Sequence, residues 1–338
     1  MAVNPILNEA DVAAKVAGLA DVREAIGQVI VGQAEVVEHM LIGLLAGGHC
    51  LIEGVPGLGK TLLVNSLARA MTLNFRRIQF TPDLMPSDVI GTEILEEDHG
   101  TGKRSFKFQP GPVFANILLA DEINRTPAKT QAALLEAMQE CSVTYAGETH
   151  TLNPPFFVLA TQNPLEQSGT YALPEAQLDR FLLHIEIDYP TLDEETEVLR
   201  RTTGASPAPI NKVMSADDVL ALQALTRQVS ISDGLLHYVT HLIRATRPGK
   251  DAVGAISEWV KWGAGPRAGQ ALILASKGRA LLHGRYAVTR DDLHAMVLPV
   301  LRHRLILNFH AEAEQKRVAD IVDALLTHYP APDDPIAG

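Results

Sequence analysis

Through the first half of the chain, short apolar runs alternate with segments of helical spacing. Cys50-Leu51-Ile52-Glu53, Asn74 to Gln79, Ile117 to Ala120, Phe156 to Thr161 and Leu183 to Ile187 are short runs carrying apolar or β-branched positions and bounded by Gly, Pro, Asn or Asp, the pattern of strands. Lys60 to Met71 and Pro127 to Glu140 lie between them as helices. Such alternation predicts an open, mostly parallel α/β sheet. Two segments interrupt it. Thr92 to Glu96 and Arg104 to Phe108 flank a polar turn with Gly100 and Gly102, and Ser142 to Tyr145 and Thr149 to Leu152 flank Gly147; both read as hairpins. After Tyr189-Pro190 strand signals become scarce. Thr191 with Glu194, Ser215 with Asp218 and Thr289 with Asp292 form capping boxes, each opening a helical pattern. The expected division is an α/β domain over 1–190, including helices at its N-terminus, and a smaller helical domain over 191–338. Thr203 to Pro209 reads as a loop near the boundary, and the tail from Pro330 as frayed.

The length of 338 residues fits two domains at about 150 residues each. A hydrophobic fraction of 46% with 20% charged residues argues against disorder. The net charge of −11 disfavours a general nucleic-acid coat and leaves room only for local basic patches. Cys50 and Cys141 stand far apart with no CxxC pair, so a cysteine zinc site and a disulfide framework are not expected. No apolar run approaches about 18 residues and no basic-then-apolar leader opens the chain. The expectation is a soluble, reduced, cytoplasmic protein without membrane insertion.

The strongest chemical signal is Gly54-Val55-Pro56-Gly57-Leu58-Gly59-Lys60-Thr61, which fits G-x-x-x-x-G-K-[ST] at every fixed position. A strand precedes it and a helix follows, the context that a phosphate-cradling loop requires. Its backbone N–H groups would turn inward on phosphate oxygens, Lys60 would reach the β- and γ-phosphates, and the Thr61 hydroxyl would ligate Mg²⁺. Ile117 to Asp121-Glu122 is a strand ending in two carboxylates at the edge where ligands bind. Asp121 would hold Mg²⁺ through water, and Glu122 would accept a proton from the attacking water. Asn163 ends the next strand and is placed to bond the γ-phosphate or that water; by itself it reads equally as a turn Asn before Pro164. Arg267 follows Pro266 in a helix-starting position, from which it could reach a phosphate across a domain cleft or simply be solvated.

These motifs resemble those of the AAA+ ATPases and, within them, the MoxR family, over almost the whole chain. GVPGLGKT resembles the Walker A motif, ILLADEINR the Walker B motif with Asn124-Arg125 after it, and ATQNP sensor 1. PEAQLDRF resembles the segment ending in the arginine finger, which would make Arg180 the finger. GAGPRA resembles sensor 2, with Gly265 where Ser is common and Arg267 matched. VLRHRL resembles part of the lid, Phe80 to Asp88 with the first hairpin the helix-2 insert, and the second hairpin the pre-sensor 1 insert. Val31-Gly32-Gln33 resembles the segment covering the adenine, which adds Gly32 and Gln33 to the nucleotide site. The resemblance implies a P-loop core with a five-stranded parallel sheet, helices on both faces and two hairpin inserts, followed by an all-helical lid. It implies ATP and Mg²⁺ at subunit interfaces of a ring, usually a hexamer. It further implies chaperone-like remodelling of a client or adaptor with a von Willebrand factor A domain, with metal or cofactor insertion as a possible outcome. Two other readings stay open: a DNA-remodelling motor, for which Lys103, Arg104 and Lys107 on the first hairpin are the argument, and a nucleotide switch with little turnover. Glu93, Glu96, Glu97 and Asp98 on the same hairpin weigh against the first.

Overall fold

The computed structural model describes residues 9–97, 104–164, 169–204, 210–249, 252 and 254–331. The turn of the first hairpin with Lys103, residues 205–209 of the boundary loop and the tail from 332 lie outside the described residues. Helices α1 (Glu9–Gly27) and α2 (Ala34–Leu45) precede strand β1 (Cys50–Gly54), then α3 (Lys60–Ala70), β2 (Phe75–Gln79) and the short α4 (Pro86–Ile90). Strands β3 (Gly91–Glu97) and β4 (Arg104–Pro110) form the first hairpin, and β5 (Ile117–Asp121) and α5 (Ala128–Glu140) follow. Strands β6 (Ser142–Tyr145) and β7 (Glu148–Thr151) form the second hairpin, before β8 (Phe157–Gln162), α6 (Glu175–Leu178) and β9 (Leu183–Ile187).

The sheet is five-stranded and parallel in the order β2-β5-β8-β1-β9. Its side chains alternate between two cores, as the pleat requires. Ile117 and Leu119 join Leu63, Val64 and Leu67 of α3 on one face, while Leu118 and Ala120 join Leu134, Leu135 and Met138 of α5 on the other. A strand buried on both faces must be apolar throughout, which is why these runs stand out in the sequence.

The two hairpins touch each other through aromatic rings. Phe108 of β4 stacks on His150 of β7 with centroids 4.0 Å apart, and meets Phe114 edge-on at 5.7 Å. Among the described residues of the first hairpin, Arg104 pairs with Glu97 at 2.9 Å and Lys107 with Glu96 at 3.0 Å. Arg104 and Lys107, two of the three basic residues behind the DNA-motor reading, are thus paired with acidic neighbours, while Leu95 and Phe106, cross-strand neighbours, stay exposed.

Beyond Pro190 the chain is helical: α7 (Leu192–Thr203), α8 (Ala216–Gln228), α9 (Asp233–Ala245), α10 (Gly254–Trp259), α11 (Pro266–Leu282), α12 (Arg290–Leu301), α13 (Phe309–Ala313) and α14 (Val318–His328). All three expected capping boxes close, Thr191 on α7, Ser215 on α8 and Thr289 on α12. One addition to the helical lid is a short antiparallel pair, β10 (Val260–Trp262) with β11 (Ile306–Leu307). Segments of two and three residues carry too little alternation to be seen as strands. No helix among the described residues is long and apolar enough to cross a membrane.

Candidate active site

Strand β1 delivers the chain to the phosphate loop at the C-terminal edge of the sheet, where α3 starts. Gly57 and Gly59 take φ of 89° and 73°, left-handed values that L side chains adopt only under strain. Gly59 caps α3, so Lys60 and Thr61 occupy its first turn with their N–H groups toward the loop. Val55, Pro56 and Leu58 complete a loop that stays at least partly exposed. The Lys60 ammonium donates to the Gly54 carbonyl. Burial lowers the Lys60 pKa, and the nearby carboxylates of Asp121, Glu122 and Glu53 work against that shift.

Strand β5 ends at Asp121, and Glu122 follows with φ 56°, a left-handed backbone at a non-glycine residue. Thr161 on β8 fixes both. Its hydroxyl donates to Asp121 Oδ1 at 2.6 Å and accepts the Glu122 N–H at 2.8 Å. Asp121 Oδ2 accepts from Arg77 Nε at 3.0 Å and from its terminal nitrogen at 2.7 Å. Glu122 Oε2 accepts from Gln79 Nε2 at 2.5 Å and Arg125 at 2.9 Å. Asn163 is buried directly after β8. The register, Ala120 with Ala160 and Glu53 with Gln162, brings the phosphate loop, Asp121, Glu122 and Asn163 to one sheet edge.

Gly32 and Gln33 both have positive φ and immediately precede α2, with Gln33 as its N-cap. A cavity of about 320 Å³ opens beside them, lined by Gln33, His39, Asp188, Tyr189, Glu194 and Arg302 among others. The Gln33 side-chain amide donates to the Asp188 carbonyl at 3.0 Å. Glycine suits position 32 because its φ of 67° is one that L side chains rarely adopt.

Arg180 and Arg267 are not gathered into this cluster. Leu183 at the start of β9 lies beside Cys50, and Ile187 at its end beside Gly54, the first loop residue. Arg180 precedes β9, so it sits at the opposite end of the sheet, separated from its own phosphate loop by at least the roughly 13 Å that four strand residues span. Arg267, in the first turn of α11 as expected, stands 3.6 Å from Asp179 and is therefore at that same far end.

The sequence profile of the ATPase family associated with various cellular activities (AAA) matches residues 49–183, and that of the AAA lid domain matches 255–325. The chain is 45% identical over 300 residues to "Chaperone MoxR1" of Mycobacterium tuberculosis, which covers 88% of this chain and 78% of that protein. The chain belongs to the MoxR family of AAA+ ATPases. It is 42% identical over 310 residues to the uncharacterized protein YeaC of Bacillus subtilis, covering 91% of this chain and 93% of the other. The crystal structure of an ATPase candidate from Cytophaga hutchinsonii superimposes with a TM-score of 0.87 at 43% identity, over 94% of this chain and 96% of that one. As a MoxR-family protein the chain binds nucleotide and is an ATPase.

Four residues of this MoxR-family site are not among the motif candidates. Thr161 lies inside the ATQNP match, but nothing in a strand pattern tells which polar residue turns toward the neighbouring carboxylate. Arg77 and Gln79 alternate with buried Ile78 on β2, an i, i+2 pattern that places both on one side of an edge strand. Glu194 is visible as a capping residue, and only the fold shows that it lines the cavity beside Gln33.

Proposed function

We propose that this MoxR-family ATPase assembles into a ring, usually of six copies, and couples Mg-ATP hydrolysis to chaperone-like remodelling of partner proteins. The observation that carries the reading is the split of the candidate residues between opposite ends of the sheet. The phosphate loop, Asp121, Glu122 and Asn163 share one edge, while Arg180 and Arg267 stand at the other. Within one copy Arg180 and Arg267 thus stand away from the phosphate loop, and a neighbouring copy would bring them to it.

In this reading Gly54 to Gly59 cradle the phosphates, Lys60 contacts the β- and γ-oxygens, and Gly32 and Gln33 flank the adenine. Thr61 directly and Asp121 through water fit Mg²⁺, a hydroxyl and a carboxylate for a hard cation that keeps waters and binds substrate phosphates. When bound, the ion offsets charge on the β- and γ-oxygens. Glu122 takes the proton of the attacking water once its carboxylate leaves Gln79 and Arg125. Asn163 orients that water or the γ-phosphate.

The division at 190/191 into core and lid is part of the proposal, supported by the capping box with which Thr191 starts α7. The client would be a protein with a von Willebrand factor A domain, as the family resemblance implies, and the exposed Leu95 and Phe106 offer it an apolar contact. The pairing of Arg104 and Lys107 with acidic neighbours weakens the DNA-motor reading.

The deciding variant is Glu122→Gln. It should bind ATP and assemble, and hydrolyse it ~10²–10⁴-fold more slowly. Affinity purification with the same variant should retain the client. A wild-type turnover rate would remove Glu122 from the role of base.

A further inference from the structure

The turn carrying Arg180 is gripped from the lid. Arg304, only 4% exposed, donates from Nε to Asp179 Oδ1 at 2.7 Å. Its terminal nitrogens donate to the carbonyls of Phe181 at 2.6 Å, Val300 at 2.6 Å and Leu182 at 3.2 Å. His303 Nε2 lies 3.1 Å from the same Phe181 carbonyl. With its donors spread over fixed acceptors, Arg304 cannot swing away without leaving a buried charge unpaired.

The other oxygen of Asp179 faces differently. Its Oδ2 lies 3.6 Å from the Arg267 guanidinium, which is 51% exposed. That separation is beyond a hydrogen bond, so it orients the guanidinium by charge and leaves its donors for another acceptor. Asp179 and Arg180 belong to one tight turn, with the N–H of Asp179 donating to Glu175, that of Arg180 to Gln177 and that of Phe181 to Leu178. Phe181 is fully buried and anchors the turn. A single carboxylate therefore stands between an immovable arginine and an exposed one, and is bonded through the chain to a third. Without it, Arg267 would face the like charge of Arg304 with no carboxylate between them.

We infer that Asp179 is a positioning residue that holds Arg267 beside Arg180, so that both guanidiniums are presented together to the phosphates held by a neighbouring copy of this chain. The inference rests on the proposed trans action of Arg180.

The test is subunit mixing. Rings that combine Arg180→Ala subunits, which keep the phosphate loop, with Lys60→Ala subunits, which keep the arginines, give the reference ATPase rate. Asp179→Asn placed in the Lys60→Ala subunit should lower that rate at least ~10-fold, the scale of losing an ordered donor to a transferring phosphoryl group. The same substitution placed in the Arg180→Ala subunit should leave the rate within about twofold, because that subunit's arginine face is not used. ATP affinity of the Arg180→Ala subunit should not change in either mixture. A merely structural role for Asp179 would lower the rate from both positions, and equal loss from both overturns the inference, as does no loss from either. If Asp179→Asn fails to fold because Arg304 loses its charge partner, Asp179→Glu replaces it. That variant keeps the charge but shifts the carboxylate by one methylene, and should show the same one-sided loss. A silent reference mixture, with mixing verified and isolated sites shown to fire, overturns the trans reading itself; an active reference with an unimpaired Asp179→Asn donor overturns this inference alone.

Discussion

Thr161 is the residue on which both acidic side chains of the site depend. It is fully buried, and its one hydroxyl both holds the Asp121 carboxylate and pins the left-handed Glu122 backbone. Removing the hydroxyl leaves a carboxylate oxygen short of a partner and frees a backbone that is costly to hold at φ 56°. Thr161→Val, close in shape, should therefore lower kcat by roughly tenfold to a hundredfold, the ~1.5–3 kcal/mol of a hydrogen bond to a charged group. ATP affinity should change by less than about threefold, since the phosphate loop is untouched. Thr161→Ser should restore most of the rate. Steady-state kinetics with equilibrium ATP binding would check this, and a valine variant with unaltered kcat would show that Asp121 and Glu122 keep their geometry without it. The motifs announce Lys60, Asp121 and Glu122 because their chemistry demands fixed residue types at fixed spacing. Thr161, Arg77 and Gln79 have no such signature, because their role comes from register between strands that lie far apart in the chain.

At the scale of elements, the inner strands are legible because burial on both sheet faces forces apolar runs, and the helix starts are legible because capping is local. Asp292 shows what local reading omits. It caps α12, accepting the Thr289 N–H at 2.9 Å, as the sequence suggests. It also accepts from Arg279 of α11 at 2.7 Å and from both terminal nitrogens of Arg285, so one fully buried carboxylate ties α11, the turn after it and α12 together. Burial alone would raise its pKa, but the hydrogen bonds from Arg285, Thr289 and Arg279 prevail and lower it below 3.8. A depressed carboxylate pKa means that the stabilisation is complete at pH values above the unfolded value, near 3.8, and fades as pH falls through the folded value. Asp292→Asn should cost about 3 kcal/mol at neutral pH, because it leaves two arginines facing a neutral amide in a buried site. Urea denaturation at pH 7 and pH 3 would measure it, with the gap between wild type and variant narrowing at the lower pH. A loss under about 0.5 kcal/mol at pH 7 would mean that the cap, and not the ion pairs, accounts for the burial of Asp292.

For the whole molecule, the sequence suggests two units in series, and the packing joins them more closely. Helix α2, ahead of the first sheet strand, meets α11 of the lid, where a Cβ on Gly278 would come within 3.2 Å of the Ile42 carbonyl. Gln223 of α8 donates to the Leu44 carbonyl at 2.7 Å, and buried residues of both parts share one apolar core. Periodicity reports which face of a helix is apolar and not which element covers it, so this junction is invisible before folding. The lid is thereby fixed against the core, and the lid residues Arg267 and Arg304 are fixed beside the turn of Arg180. That arrangement makes complementation between two inactive variants the decisive measurement. Arg180→Ala should bind ATP and be nearly inactive, since an arginine finger is worth ~10³–10⁵ in rate. Lys60→Ala should be inactive for want of the cationic contact with the phosphates. In rings assembled from equal amounts of the two, random placement equips about a quarter of interfaces with an intact phosphate loop on one side and an intact Arg180 on the other. ATPase activity should then return, provided that such an interface fires without active neighbours, which doping wild type into Lys60→Ala rings would establish. An Arg180 that served its own subunit would give no rescue, because no subunit in the mixture carries both residues. The strand register argues against that outcome: β1 and β9 run parallel, and a side chain placed before the start of one cannot reach the loop that follows the end of the other.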